Sequence, residues 1–245
     1  MTQIRAVLHA HSTWSYDGRW SLHQIARLYG RLGIDVVMMS EHDTGFDPAR
    51  FPEYRAACAE ASTARCTLVP GIEYSSPEND IHILTWGLTD FLAEHRPVTE
   101  TLQAVKAQGG VAIFAHPVRR RAWQAFDPAW VPYLSGIELW NRKSDGITWG
   151  PEAWALLQST GLPATVGQDF HRLKQLYPLT MRFPDLSRSE TLEADLVAAL
   201  KAGRGVPCAF GRPVLRDGTG PAVQPHQSLE RGRKALVRLK GRLKP

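Results

Sequence analysis

The chain has 245 residues, of which 43% are hydrophobic, enough for a full core in one large domain and too many for an intrinsically disordered chain. Its formal charge of +5 sits at one end: residues 226–245 carry Arg231, Arg233, Lys234, Arg238, Lys240, Arg242 and Lys244 against Glu230 alone, leaving a near-neutral body of 22 basic and 23 acidic groups. A neutral body argues against a dedicated nucleic-acid binder, and Cys58, Cys66 and Cys208, odd in number and without Cys-x-x-Cys spacing, argue against a disulfide framework or a thiolate zinc site.

Met1 to Leu8 contains no apolar run of signal-peptide length, and no later stretch approaches the roughly 18 apolar residues of a membrane span, so a cytoplasmic location is expected. Gln3 to His11 reads as a strand, in which His9 and His11, at i and i+2, project from one face. A helix is predicted from Ser21, a good N-cap, with Leu22, Ile25, Ala26, Tyr29 and Leu32 on one stripe and Gly33 as its stop. Asp35 to Met39 is a second strand running into Ser40-Glu41-His42-Asp43. Residues 53–65 are Ala-rich and helical, Thr67 to Glu73 is a third strand, and Asp80 to Trp86 alternates as a fourth with His82 within it.

The second half repeats the scheme. A helix over Thr99 to Gln108 closes on Gly109-Gly110, and the strand Val111 to Ala115 delivers His116-Pro117. Ile137 to Trp140 ends at Asn141. Pro151 to Thr160 starts with Pro at the first helical position and stops at Gly161. Ala164 to Val166 leads into Gly167-Gln168-Asp169-Phe170-His171, where Asp169 and His171 reproduce the spacing of His9 and His11. Leu179 to Phe183, a helix from Ser189 to Ala202 and Val206 to Phe210 complete the body. Residues 213–228, with Pro213, Gly218, Gly220, Pro221 and Pro225, read as a linker. Beyond it Leu229, Leu236, Leu239 and Leu243 fall on one side of a possible basic helix, able to dock on the body, a membrane surface or a nucleic acid.

Strands alternating with helices imply a mostly parallel sheet, and a parallel barrel opens the carboxyl ends of its strands on one face, where active sites lie. His9, His11, His42, Glu73, His116, Asp169 and His171 end such strands, with Asp17 in the first loop and His82 in its strand. Imidazoles and carboxylates without thiolates suit zinc, manganese or iron, and this many ligands suit two or three ions sharing carboxylates.

The motifs His9-Ala10-His11, Asp17-Gly18, Glu41-His42-Asp43, Gly71-Ile72-Glu73, His82, Ala115-His116-Pro117 and Asp169-Phe170-His171 together resemble those of the PHP (polymerase and histidinol phosphatase) superfamily over roughly residues 4–212. The resemblance implies an α/β fold, a distorted (β/α)7 TIM-like barrel, with a multinuclear metal site that hydrolyses phosphoesters. It places His9, His11, Glu73 and Asp169 on one ion, Asp17, His42 and His171 on a second, and Glu73, His82 and His116 on a third, with Glu73 bridging. Several members have His where this chain has Asp17, which leaves the metal preference of the second site open. In such a site a metal-activated hydroxide attacks phosphorus.

Arg119 and Arg172, each just past a motif His, are the candidate phosphate clamps, since guanidinium matches phosphate bidentately; Arg120 and Arg121 compete with Arg119. Asp43 and Glu138, the latter ending a strand on the same rim, are expected to support the ligands from behind. His23, His95 and His226 are not expected to be ligands. The expected substrate is a small phosphorylated molecule or nucleotide, with nucleic acid less favoured. Hydrolysis of an amide, carbamate or carboxylic ester, and a non-catalytic metal-binding module, are the alternatives.

Overall fold

Strand β1, Ile4–Ala10, lies at the centre of the computed structural model, which describes residues 3–216, 220–221, 229–233 and 235–236. It is followed by α1 (Leu22–Arg31), whose Ser21 N-cap and Gln24 side chain form a reciprocal capping box. Leu22, Ile25, Ala26 and Tyr29 of its stripe are buried, whereas Leu32, just beyond the helix, is half exposed. The chain continues through β2 (Val36–Met39), β3 (Glu41–His42), α2 (Phe51–Ala61), β4 (Thr67–Val69), β5 (Gly71–Ser75) and β6 (His82–Trp86). Next come α3 (Val98–Ala107), β7 (Val111–Phe114), β8 (Gly136–Asn141), α4 (Pro151–Thr160) and β9 (Ala164–Phe170). Finally come β10 (Leu179–Phe183), α5 (Leu192–Lys201), β11 (Val206–Ala209) and β12 (Arg212–Pro213).

The fold is mixed α/β around a large sheet. From β1 the pairings run to β2, from β2 and β3 to β4 and β5, then through β6, β7, β8 and β9, and β9 pairs with β1. The expected mostly parallel order is broken at β6, which is antiparallel to both β5 and β7. The reason is the short link 76–81, which turns the chain back at once, whereas a parallel return needs a crossover of a dozen or more residues. His82 therefore opens its strand, pairs with Ser75 at the end of β5, and reaches the same rim from the opposite chain direction. β10 is likewise antiparallel to β1, and β11 and β12 extend it outward. Between β7 and β8 the chain forms two 3-10 segments, Arg119–Ala125 and Pro128–Tyr133, where a regular alternation would have an α-helix.

The strands are buried along nearly their whole length because helices cover them, so they read as continuous apolar runs; Val36 to Met39 and Val111 to Phe114 are all 1% exposed or less. Trp86 is fully buried, and its indole N–H donates to the Met39 carbonyl, which ties β6 to β2. Within the expected linker, Pro213 belongs to β12 and Leu215–Arg216 pairs with Gly220–Pro221. Residues 229–233 and 235–236 are helical. Leu229 and Leu236 are exposed, while Glu230 is buried; Leu239 and Leu243 lie outside the described residues. No helix among the described residues is long and apolar enough to cross a membrane.

Candidate metal centre

Three of the rim residues sit where the backbone leaves regular strand geometry. His9, His116 and Asp169 have φ of +66°, +26° and +50°, and the register of β1 against both β2 and β9 shifts between Leu8 and Ala10. Bulges of this kind re-aim side chains at the ends of strands. Here they bring His9 and His11 to a ring separation of 5.2 Å.

Glu73 is the centre of the arrangement. Its Oε2 lies 3.4 Å from His9 Nε2, 3.5 Å from His11 Nε2 and 3.2 Å from His42 Nδ1. Its Oε1 lies 2.7 Å from His82 Nδ1 and 2.8 Å from His116 Nε2. Asp169 Oδ1 lies 3.7 Å from His9 Nε2, 3.5 Å from His11 Nε2 and 3.2 Å from His171 Nδ1. Asp17 bridges His42 Nε2 at 3.3 Å and His171 Nε2 at 3.0 Å. The nine candidate ligands, drawn from seven chain segments, thus form one cluster, and all but Asp17 are buried.

Burial pushes the Glu73 carboxyl up, but His82, His9, His116 and His42 outweigh it and hold the group well below the usual carboxylate range. Asp169 is held low against burial by His9, His11, Lys143 and His171, and Asp17 by His171 and His42. Burial lowers His11 further beside His42 and His171, so its imidazole is neutral. Burial also opposes protonation of His9 and His42. The carboxylates around them prevail, raising His9 well above its ordinary value and His42 to about 10.

Three groups of donor atoms are close enough to share an ion: His11, His42 and His171; His9, Glu73 and His116; and His9, His11 and Asp169, each within 4.8 Å. His9 Nε2, His11 Nε2, His42 Nε2 and His116 Nδ1 are buried without a hydrogen-bond partner. Orphaned buried nitrogens are rare in folded proteins, and the Nε2 atoms of His9, His11 and His42, each beside a carboxylate oxygen, fit a divalent cation. His82 and His171 have protein neighbours at both ring nitrogens.

Behind the cluster, Glu138 accepts from His9 Nδ1 at 3.0 Å, from the His116 amide at 2.8 Å and from Asn141 Nδ2 at 2.9 Å. The His9 contact fixes the tautomer that leaves Nε2 free to ligate. Gly167 makes this approach possible, since a Cβ there would fall 1.8 Å from Glu138 Oε1. The expected support from Asp43 is not found. Its Oδ2 accepts the amides of Ser75 and His95, stitching two loops together instead of orienting an imidazole. The His95 ring bonds Thr44 and the Ser76 carbonyl. Glu41 is buried and accepts from Ser12 and Ser15, and the Ser15 hydroxyl also accepts the His42 amide, so it braces the loop that carries Asp17.

The cluster opens into a cleft of about 190 Å³ whose walls include Tyr16, Asn79, Arg119 and Lys143. Arg119 lies 3.0 Å from His82 Nε2. Arg172 is exposed and does not line the cleft; its amide is bonded to Gln175, and the turn directs the residue outward. The second cation is Lys143, 3.3 Å from Asp169 Oδ1 and 3.1 Å from His171 Nε2. It follows β8 by two residues, and a lysine in a loop carries no sequence signal that separates it from a solvated one. Tyr16, 71% exposed, stacks on His42 at 5.1 Å.

No protein-family model and no curated protein matches the chain. Solved structures do. PsfC from Pseudomonas syringae superposes with a TM-score of 0.64 at 12% identity, covering 98% of this chain and 99% of that one. A two-domain protein from Bacteroides vulgatus that contains a predicted PHP-like metal-dependent phosphoesterase has a TM-score of 0.62 at 19% identity; 85% of this chain is covered, and it spans 65% of that protein. A lesion-specific endonuclease from Pyrococcus furiosus has a TM-score of 0.60 at 15% identity, over 93% of this chain and 66% of that one. The chain therefore has the fold found in PHP-like metal-dependent phosphoesterases.

Proposed function

We propose that this protein is a metal-dependent hydrolase of small phosphoesters, working at the Glu73 cluster within a distorted seven-stranded barrel. The observation that carries the reading is the pairing of buried, unpartnered imidazole nitrogens around Glu73 with two cationic side chains, Arg119 and Lys143, on the walls of the same cleft. Cations beside a metal site suit an anionic substrate; a neutral amide or carboxylic ester gains little from them.

His9, His11, Glu73 and Asp169 would hold one divalent ion, Asp17, His42 and His171 a second, and Glu73, His82 and His116 a third. Manganese, zinc and iron all accept such a donor set. Bound there, the ions supply an activated water at neutral pH and polarise the phosphoryl oxygens. Arg119 and Lys143 bind the phosphoryl oxygens by charge-assisted hydrogen bonds and orient the ester toward the cluster. Glu138 holds His9 in its ligating tautomer. The small cleft accepts the phosphate end of a substrate, and the exposed Tyr16 ring at its mouth offers a face to whatever the phosphate is attached to.

The test is metal analysis of the purified protein together with phosphomonoesterase, phosphodiesterase, esterase and amidase panels, repeated with His9→Ala. Metal-dependent phosphoester turnover that His9→Ala abolishes is the expected result. Turnover by a metal-free preparation, or turnover of carbonyl substrates alone, would overturn the reading.

A further inference from the structure

The loop that carries Lys143 meets, on its far side, a segment 83 residues further along the chain. After β8, Asn141 Oδ1 accepts the amides of Lys143 and Ser144 at 3.0 and 2.9 Å, and Asp145 Oδ2 accepts the Asn141 amide at 2.7 Å. The turn then reaches Gly146, whose carbonyl accepts the buried indole N–H of Trp140. At Ile147 the amide donates to Glu230 Oε2 at 3.2 Å. Glu230 is 3% exposed, and its two oxygens take Arg233 Nε at 2.7 Å and a terminal nitrogen of Arg233 at 2.5 Å. The fit at this point is close. Gly146 has a φ of +93°, and a Cβ on it would stand 2.6 Å from Glu230 Oε1 and 2.9 Å from the Arg233 guanidinium.

We infer that the C-terminal segment is a latch for the active-site loop: Glu230, paired with Arg233, is a positioning residue that holds residues 141–147 so that Lys143 Nζ stays over Asp169 and His171. Glu230 and Arg231 also line a recess of about 400 Å³ with Val118 and Asp145. Val118 adjoins Arg119 in the chain, so the segment lies beside both loops that deliver a cation to the cleft. Burying a carboxylate costs several kcal/mol unless it is paired and hydrogen-bonded; Arg233 supplies the pairing from within the segment, and the Ile147 amide adds a hydrogen bond from the loop. The catalytic consequence rests on the phosphoester reading above, whereas the mechanical one does not.

Two measurements on the full chain separate these. Hydrogen exchange of peptides spanning residues 141–150 reads the latch directly: Glu230→Ala is expected to speed exchange there tenfold or more and leave the β1 and β9 peptides unchanged. Glu230→Gln, which keeps a carbonyl acceptor for the Ile147 amide, restores most of the protection. Turnover of a phosphomonoester at fixed manganese content by wild type, Lys143→Ala, Glu230→Ala and the double variant reads the coupling. Glu230→Ala is expected to raise KM severalfold in the wild-type background and to add nothing once Lys143 is gone. Unchanged exchange over 141–150, or an equal loss in both backgrounds, would overturn the inference. If wild type turns over no phosphoester with any metal, the hydrolytic reading fails, and the exchange result alone decides whether Glu230 holds the loop.

Discussion

Replacing Glu138 by Gln is a near-isosteric change that sets two hydrogen-bond requirements against each other. One carboxylate oxygen accepts from His9 Nδ1 at 3.0 Å, and the other accepts from the His116 amide and Asn141 Nδ2 at 2.8 and 2.9 Å. A carboxamide has one accepting end and one donating end. If its NH2 faces His9, then Nδ1 must accept, the ring proton moves to Nε2, and that nitrogen can no longer ligate. If it faces His116, two donors meet an NH2 and both lose their acceptor inside a buried site. Leaving a buried group unsatisfied costs about 1–3 kcal/mol, and loss of a group that orients a metal ligand weakens metal binding by roughly 10–100-fold. Titration of the purified variant with manganese against a competing chelator should therefore show a Kd raised by one to two orders of magnitude, with the helical circular dichroism of the fold retained. A Glu138→Gln variant that binds manganese as tightly as wild type would show that neither the His9 contact nor the His116 and Asn141 contacts of Glu138 support the metal site.

The remaining expectations concern the cleft, its backbone and its protons. Lys143→Ala and Arg119→Ala should each lower kcat/KM for a phosphomonoester by about 10–100-fold, the worth of roughly 1.5–3 kcal/mol for a hydrogen bond to a charged group, whereas exposed Arg172→Ala should shift it by no more than about 0.5 kcal/mol; steady-state kinetics decides both. Gly167→Ala must displace Glu138, because the new Cβ would sit 1.8 Å from Oε1. It should cost about 1–3 kcal/mol of stability and metal content as well, read from urea unfolding and metal analysis. His42 is pulled down by burial but raised to about 10 by Asp17 and Glu73, so in the metal-free protein it is protonated at neutral pH and must lose that proton to ligate. Metal affinity should then rise with pH toward 10, by about tenfold per pH unit for each displaced proton. Calorimetry in buffers of different ionisation enthalpy should register the release, and heats independent of buffer would contradict it.

Much of this architecture is legible in the sequence because local chemistry marks it. Ser21 with Gln24 announces the start of α1, and Pro151 with Gly161 brackets α4, since capping and the left-handed conformation of Gly161 depend on nearby residues alone. The histidines and carboxylates at strand ends are legible for a related reason: a parallel strand buried on both faces has no other place for them. Strand direction is not legible in the same way, because alternation looks identical read in either sense, and β6 runs against its neighbours for want of a crossover between Ser75 and His82. Lys143, Asp43 and Arg172 depend on how loops fold back, which no periodicity records.

Glu138, expected behind the ligands from its place on the rim, also bears on the backbone around them, which no sequence pattern records. It is 129 residues from His9 in sequence, and nothing in Gly136-Ile137-Glu138-Leu139 says which groups it holds. Yet it bears on two of the three strained positions: it holds the ring of His9, at φ +66°, and the amide of His116, at φ +26°. Positive φ at residues other than glycine costs of order 1–3 kcal/mol and persists only where surrounding contacts over-determine it. The third strained residue, Asp169 at φ +50°, lies two positions beyond Gly167, whose missing side chain lets Glu138 approach. One carboxylate therefore ties together the strained backbone positions at His9 and His116. This makes the effect of altering Glu138 depend on backbone geometry as well as on a tautomer, and it separates Glu138→Ala from Glu138→Gln. The alanine variant should release the His116 amide along with the His9 ring, so its loss of metal affinity should exceed that of the glutamine variant, which can still satisfy one of the two.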